Sequence, residues 1–302
     1  MSQKQAMAGQ GIPLYHKLRN GWQLYREHST EAWGGVRVYV DRYRAISKLL
    51  ADRTGVPVEK SRILEVGCGQ RAIMPMLFAA HGADAHGIDV EVPTHRMNPA
   101  VFTRVLRRNG LERALKSTAR HVLFDRRFFK KLQEAFGLRA LPFSSARIRT
   151  MDVADLDYPD NYFDLVFSAA AFEHVADVNA AVRHLNRVLK PGGIAMIHAH
   201  LFASLSGGHC MDWQQPDASP SETVPRWDHL RENRFPANTY LNKLRVHEFR
   251  AIFETHMVIR EETTSREGLA LAHLAPPELL ERYPIEELTT NSVVFVVSKK
   301  AV

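Results

Sequence analysis

Glu65, Gly67, Gly69 and Asp89 are the residues whose types and spacing point most directly to chemistry. The apolar run Ile63, Leu64, Val66 ends in Gly67-Cys68-Gly69, and Asp89 follows about twenty residues later, closing a second short apolar run in HGIDV. Glycines let the backbone bend sharply and approach a ligand, and a carboxylate ending the second strand can accept hydrogen bonds from ribose hydroxyls. The spacing is that of a nucleotide-binding βαβ unit. Two departures narrow the ligand. Gln70 and Arg71 stand where a dinucleotide fingerprint has its third glycine, and Glu65 lies inside the strand, where it would repel a pyrophosphate. An acidic, glycine-bent turn suits a cationic ligand without phosphates.

The histidines form the second chemical set. His174 follows an apolar run in the stretch SAAAFEHV; His198 and His200 alternate along IHAH and share one face of a strand; His209 follows Gly207-Gly208. An imidazole near its ordinary pKa is well matched to removing a hydroxyl proton at neutral pH. His209, on a flexible glycine approach that lets it reach over a pocket, is the first expectation for such a base. His174 is the second, with pairing to Glu173 at a helix start as its alternative. Strand histidines are more often packed and hydrogen-bonded than metal-bound, so no metal site is expected. Trp213, Trp227, Asp228, His229 and Tyr240 are the other acceptor-side candidates, although a tryptophan on a long loop also serves as its anchor. Cys68 reads as a small packing residue.

These residues must be positioned by alternating strands and helices. The apolar periodicity predicts helices within 14–56, a strand over 63–66, a helix over 71–81 and a strand over 84–88. Helical patterns then recur near 98–109, 111–122 and 125–136, punctuated by Asn109-Gly110 and Gly137. A strand ends near Met151-Asp152, another covers Phe163 to Phe167, and Asp177 is placed to cap the helix that ends before Pro191-Gly192-Gly193. The strand IAMIHAHLF is followed by a long loop-like segment, 203–240. The helix VHEFRAIFETH, the strand HMVIREET, the short helix PPELLERY and the final strand NSVVFVVSKK complete the chain. The alternation predicts an α/β fold with a doubly wound, seven-stranded, mainly parallel sheet, whose last two strands form an antiparallel edge.

Four segments in this order, ILEVGCGQR, HGIDV, MDVADLDYPDNYFDLVFSAAAFEHV and LNRVLKPGGIAMI, resemble class I S-adenosylmethionine-dependent methyltransferases of the type 11 group. The likeness covers roughly residues 60 to 200 together with the strand-helix-strand ending. It implies S-adenosyl-L-methionine as cofactor and a Rossmann-like methyltransferase domain over 61–302, preceded by an N-terminal helical segment, 1–60. It further implies that Gly67 and Gly69 border the cofactor, that Asp89 holds its ribose, that Val90 packs on adenine and that Asp152 accepts the adenine amino group beside Met151 and Val153. Asp155, Asp157 and Asp160 follow closely enough to compete with Asp152. Ser168 ends the fourth strand at the crevice, Glu65 favours the cationic cofactor, and Arg71 is expected to contact its carboxylate.

The resemblance says nothing of the methyl acceptor, which falls to two segments outside the shared core. One is 203–240. The other is 94–147, where thirteen Lys/Arg meet only three acidic residues, a larger excess than the +7 of the whole 302-residue chain. Three roles are open to it: a solvated helical cap, a landing site for an anionic acceptor, or peripheral contact with an anionic membrane, since Phe and Leu are mixed among the basic residues. Nucleic acid is disfavoured, because SAAAFEH lacks the Asn/Asp-Pro-Pro-aromatic pattern of amino-directed base methyltransferases. The expectation is therefore O-methylation of a small molecule or glycan, with nitrogen or carbon as lesser alternatives. A nicotinamide-dependent oxidoreductase and a non-catalytic relative remain as competing classes. Two cysteines, no leader-like start and no stretch of roughly 20 apolar residues point to a cytoplasmic protein. The sequence gives no reading of oligomeric state.

Overall fold

The computed structural model describes residues 32–142, 147–237 and 239–300. Of the expected N-terminal helices, those within 1–31 lie outside the described residues. The rest is one long helix, α1 (Ala32–Thr54). It is followed by β1 (Arg62–Val66), α2 (Ile73–Ala80), β2 (Asp84–Asp89), three helices α3 (Pro99–Asn109), α4 (Leu111–Arg120) and α5 (Arg126–Phe136), β3 (Arg147–Thr150), β4 (Phe163–Ala169), α6 (Val178–Val188), β5 (Leu189–His200), α7 (Val246–His256), β6 (Met257–Arg266), the short α8 (Pro277–Leu280) and α9 (Ile285–Leu288), and β7 (Thr290–Lys299).

The seven strands form one sheet in the order β3-β2-β1-β4-β5-β7-β6. The first five are parallel, and β7 runs antiparallel between β5 and β6. The mainly parallel, doubly wound sheet is thus as expected. β1 and β4 lie at its centre and are buried on both faces, which is why their sequences read as continuous apolar runs rather than alternating ones. One face packs on α6 and α7 through Val182, Leu185, Phe249 and Phe253. The other packs on α1 and α2 through Ile46, Leu50, Met76 and Phe78, so the described part of α1 belongs to the core.

The helix boundaries follow local signals. Asn98 Oδ1 accepts from Val101 N at 2.9 Å with Pro99 in the first turn of α3, and Asp177 Oδ1 accepts from Ala180 N at 2.8 Å to cap α6. The segment 201–245 has its own small core, in which Leu205, Trp213, Val224, Trp227 and Leu230 pack on Leu279 of α8 and Leu288 of α9. Two tryptophans expected on the acceptor side are therefore anchors: Trp213 and Trp227 are buried and donate from Nε1 to the carbonyls of Val224 and Leu288.

Candidate active site

The turn after β1 closes against β2 and β4. Gly67 N and Cys68 N both donate to the Ile88 carbonyl, at 2.9 and 3.1 Å. Gly67 has φ +74°, and a Cβ there would stand 2.3 Å from Ala171 Cβ, so both its conformation and its packing require glycine. Gly69, at φ +65°, needs glycine for conformation alone. Asp89, ending β2, accepts from Gly69 N through Oδ2 and from Glu91 N through Oδ1, each at 2.8 Å. The carboxylate that follows the turn by about twenty residues thus braces it. Burial raises the Asp89 pKa, opposed by the two backbone donors.

Glu65 sits beneath this turn, between Gly87 of β2 and Phe167 of β4 in the sheet. It is buried, its Oε2 has no hydrogen-bond partner, and its pKa is pushed up to about 8, chiefly by desolvation, with Arg42 of α1 lowering it and Asp89 raising it. Cys68 is a packing residue as expected: burial pushes its thiol well above its ordinary pKa, and its sulfur lies against Gly87.

A cleft of about 1530 Å³ opens above the C-terminal ends of the strands. It is lined by Gly67, Asp89, Val90, Met151, Asp152 and Val153 at the strand ends, by Ala170, Ala171, His174 and Tyr240, and by Arg104, Arg107 and Arg108 of α3 with Glu112, Arg113 and Lys116 of α4. Val90 is half-exposed into this space. Asp152 is exposed, with Oδ1 accepting from Ala154 N at 2.9 Å. Ser168 and Arg71 are not on the cleft wall. Ser168 is fully buried, with an unpartnered hydroxyl.

Arg71 instead pairs with the buried Asp125 at 2.8 Å and lies over the Phe128 ring. Asp125 belongs to a π-helical turn, His121–Asp125, between α4 and α5, and Arg120 and His121 also flank it. Gln70 makes a matching attachment: its side-chain oxygen accepts from Ser117 Oγ at 2.9 Å and its carbonyl from Thr94 N at 2.7 Å. The two residues that replace the third glycine are thus the anchor of the basic insertion. Long-range pairing of this kind leaves no periodic signal in sequence.

The histidines gather at the ends of β4 and β5. His174 sits in a short turn after β4 that Asn242 clamps, donating from Nδ2 to the carbonyls of Phe172 and Val175 at 2.7 and 3.1 Å. His174 Nδ1 lies 2.8 Å from the Tyr240 carbonyl, which can only accept, so Nδ1 carries the proton and Nε2 keeps the lone pair. His209 stands edge-on behind His174, with ring centroids 5.1 Å apart, and His200 lies 5.0 Å on the far side of His209. Burial lowers His209 and His229 to about 4 and His200 to about 3, with the neighbouring histidines adding to the shift on His200 and His209. His209 is not on the cleft wall. The flexible approach expected of Gly207-Gly208 is not what these glycines provide. A Cβ on Gly207 would meet the Leu201 carbonyl at 2.3 Å and one on Gly208 the His229 ring at 2.5 Å, so they permit close packing. His229 is held by the Phe202 carbonyl at 2.8 Å, and Asp228 accepts from Phe235 N at 3.0 Å. Of the acceptor-side candidates in 203–240, only Tyr240 lines the cleft.

A family model described as a methyltransferase domain matches residues 40–256. An uncharacterized methyltransferase of Mycobacterium bovis is 28% identical over 109 residues, 35% of this chain and 55% of its own length. A ubiquinone/menaquinone biosynthesis C-methyltransferase of a Shewanella strain is 48% identical over 42 residues, 14% of this chain and 17% of the relative. The chain thus spans about half the length, or less, of the curated relatives it matches. Among solved structures, the YcgJ protein of Bacillus subtilis aligns with TM-score 0.45 and 13% identity over 84% of this chain and 98% of that one. With the family model covering most of the sequence, and the strand order and glycine turn in agreement, the chain belongs to the class I S-adenosylmethionine-dependent methyltransferases.

Proposed function

We propose that this protein transfers a methyl group from S-adenosylmethionine to a hydroxyl oxygen of an anionic small molecule or glycan-derived acceptor. The observation that carries the acceptor class is the cleft itself, whose lining combines Gly67, Asp89 and Asp152 with Arg104, Arg107 and Arg108. Those three arginines form no ion pair among the described residues, whereas Arg113 is spent on Glu91 and Lys116 on Glu112. The residues fit the cofactor. Glu65 offers an unpartnered buried carboxylate oxygen to a cation, Gly67 lets the turn pack closely on Ala171 at the cleft, and Asp89 has lone pairs left for ribose hydroxyls.

When bound, the cofactor supplies the electrophilic methyl group. The chain's own residues bind, orient and move one proton. Val90 and Val153 offer apolar surface to a planar base, and Asp152 an acceptor at its edge. His174 is the histidine on the cleft wall, and its Nε2 lone pair serves as the base for the acceptor hydroxyl. His209, behind it, then acts through His174 rather than on the acceptor. Positioning supplies most of the rate in a transfer of this kind.

The test is calorimetric titration with S-adenosylhomocysteine, followed by a labelled-methyl screen of acceptor fractions separated by charge. One equivalent should bind the wild type, binding should be lost in Gly67→Val, and label should enter an anionic fraction. Label confined to neutral acceptors would sink the acceptor class, and quenching by NADH with no S-adenosylhomocysteine binding would sink the cofactor reading. A second role for the insertion rests on Leu111, Leu115, Val122 and Leu123, which are exposed among its basic residues. This favours peripheral contact with an anionic membrane. No helix among the described residues is long and apolar enough to cross one. Flotation with anionic liposomes at low salt should carry the protein upward; failure to float removes that role. With only two cysteines in its sequence, the protein suits a cytoplasmic location.

A further inference from the structure

Glu173, His200 and His209 each offer one ligand atom, and these atoms lie within 4.8 Å of one another. They come from three separate places in the chain: the turn after β4, the last residue of β5 and the loop packed on it. We propose that they form a binding site for a divalent transition-metal ion, held by two imidazole nitrogens and one carboxylate oxygen. This inference does not depend on the acceptor of the methyl group.

The hydrogen bonds around His200 set its tautomer. The Ser206 hydroxyl and the Ser206 N–H both donate to the Glu267 carboxylate, at 2.7–2.8 Å. With its proton spent there, Ser206 Oγ can only accept from His200 Nε2, 2.7 Å away. The His200 lone pair is then on Nδ1. A carboxylate that fixes an imidazole through its outer nitrogen, here relayed by one hydroxyl, is the arrangement that orients histidine ligands in metal sites. Glu267 and Ser206 are both buried, so this support is built into the interior.

The second observation is independent of the histidines. Glu173 is 4% exposed, and no side chain hydrogen-bonds its carboxylate, which has only the backbone N–H groups of Glu173 and His200 near enough to favour its charged form. His174 Nε2 lies 4.0 Å from Oε1, beyond hydrogen-bond reach. A buried carboxylate without a cationic partner is costly unless something compensates it, and an ion between it and two imidazoles does so. Two nitrogens and one oxygen suit zinc, cobalt or manganese better than magnesium or calcium, which prefer sets made of oxygen alone. Three protein ligands leave a further coordination position. His174, which adjoins both His209 and Glu173, stands between this site and the cleft.

The site is tested with chelator-treated, full-length protein titrated with Co²⁺, read by calorimetry and by visible absorption. The wild type should bind one equivalent and develop ligand-field bands, which Zn²⁺ displaces. Glu173→Gln and His209→Ala should each weaken binding at least tenfold, while His198→Ala, one strand face along but outside the cluster, should bind as the wild type does. Zn²⁺ should raise the melting temperature of the wild type and not that of Glu173→Gln. Glu173→Gln keeps the shape of the side chain and, without metal, should melt no lower than the wild type, because it removes a buried unpaired charge. Absence of stoichiometric Co²⁺ binding overturns the proposal. So does binding that survives both Glu173→Gln and His209→Ala, since the ion would then sit on other histidines.

Discussion

Glu65 illustrates how a single buried carboxylate can couple cofactor binding to pH. Its folded-state pKa of about 8 lies above its ordinary value of 4.5, mainly because burial disfavours the charged form. In the ligand-free protein the folded state therefore holds this proton more tightly than the unfolded chain does. The associated stability is present below about pH 4.5 and is lost as pH rises toward about 8. A cation bound next to Glu65 reverses the preference, so binding below pH 8 releases a proton. The affinity for S-adenosylmethionine should rise as pH approaches 8 and level off above it. Calorimetry in buffers of different ionisation enthalpy should report the released proton, and Glu65→Gln should abolish both the pH slope and the proton release. An unchanged slope in the glutamine variant would show that some other group titrates. At Gly67, valine brings its Cβ into Ala171 at a backbone angle that side chains rarely adopt. Of the residues the chain singled out, Gly67, Asp89, Val90, Asp152 and Val153 line the cleft, because a parallel sheet brings the ends of consecutive strands to one edge. Glu65 and Gly69 are not on its wall, nor are Ser168, Arg71 and His209.

Arg71 and Asp125 carry the argument at the scale of elements. Arg71 follows the glycine turn, whereas Asp125 lies in the π-helical turn that joins α4 to α5. A π-turn inserts an extra residue into a helix, and here it brings Asp125 into the interior. Removing one partner of a buried pair leaves the other uncompensated, so Asp125→Ala should cost about 3 kcal/mol. The loss should localise: protease cleavage within 94–142 should appear well before the sheet unfolds, while Lys130→Ala, on the exposed face of α5, should behave as the wild type. Uniform unfolding with no early cleavage would mean that the insertion is not held through this contact. The helices α3, α4 and α5 were readable from periodicity, Asn109-Gly110 and Gly137, to within about two residues. What they dock against was not. Gln70 and Arg71 read as an irregular cofactor loop because pairing across 47 residues to Ser117, or further to Asp125, leaves no local pattern. The aromatic residues of 203–240 were ambiguous for the same reason. Whether a tryptophan faces a ligand or a satellite core depends on α8 and α9, which follow far along the chain.

At the scale of the whole molecule, the lining of the cleft brings both signs of charge together: Asp89 and Asp152 at the strand ends, and Arg104, Arg107 and Arg108 of the insertion beside Glu112. In the proposed function the strand-end carboxylates take the cationic cofactor and the arginines an anionic co-substrate. Both signs of charge about one cleft favour a cation and an anion bound together, each neutralising the charges nearest it. Reversing two charges of the insertion, with Arg104→Glu and Arg107→Glu together, should leave S-adenosylhomocysteine affinity within about twofold, because these side chains belong to α3 and not to the strand ends proposed to hold the cofactor. The apparent KM for an anionic acceptor should rise at least tenfold with kcat nearly unchanged, the signature of lost uniform binding. Surface charges are screened over roughly 10 Å at 0.1 M salt, so the wild-type KM should climb with ionic strength while that of the double variant stays flat. Initial rates at low and high salt with one acidic and one neutral acceptor make the comparison. If KM for the acidic acceptor is indifferent to salt and to both substitutions, these arginines do not recruit the acceptor, and the proposed membrane contact through the exposed Leu111, Leu115, Val122 and Leu123 is left as the role of the insertion.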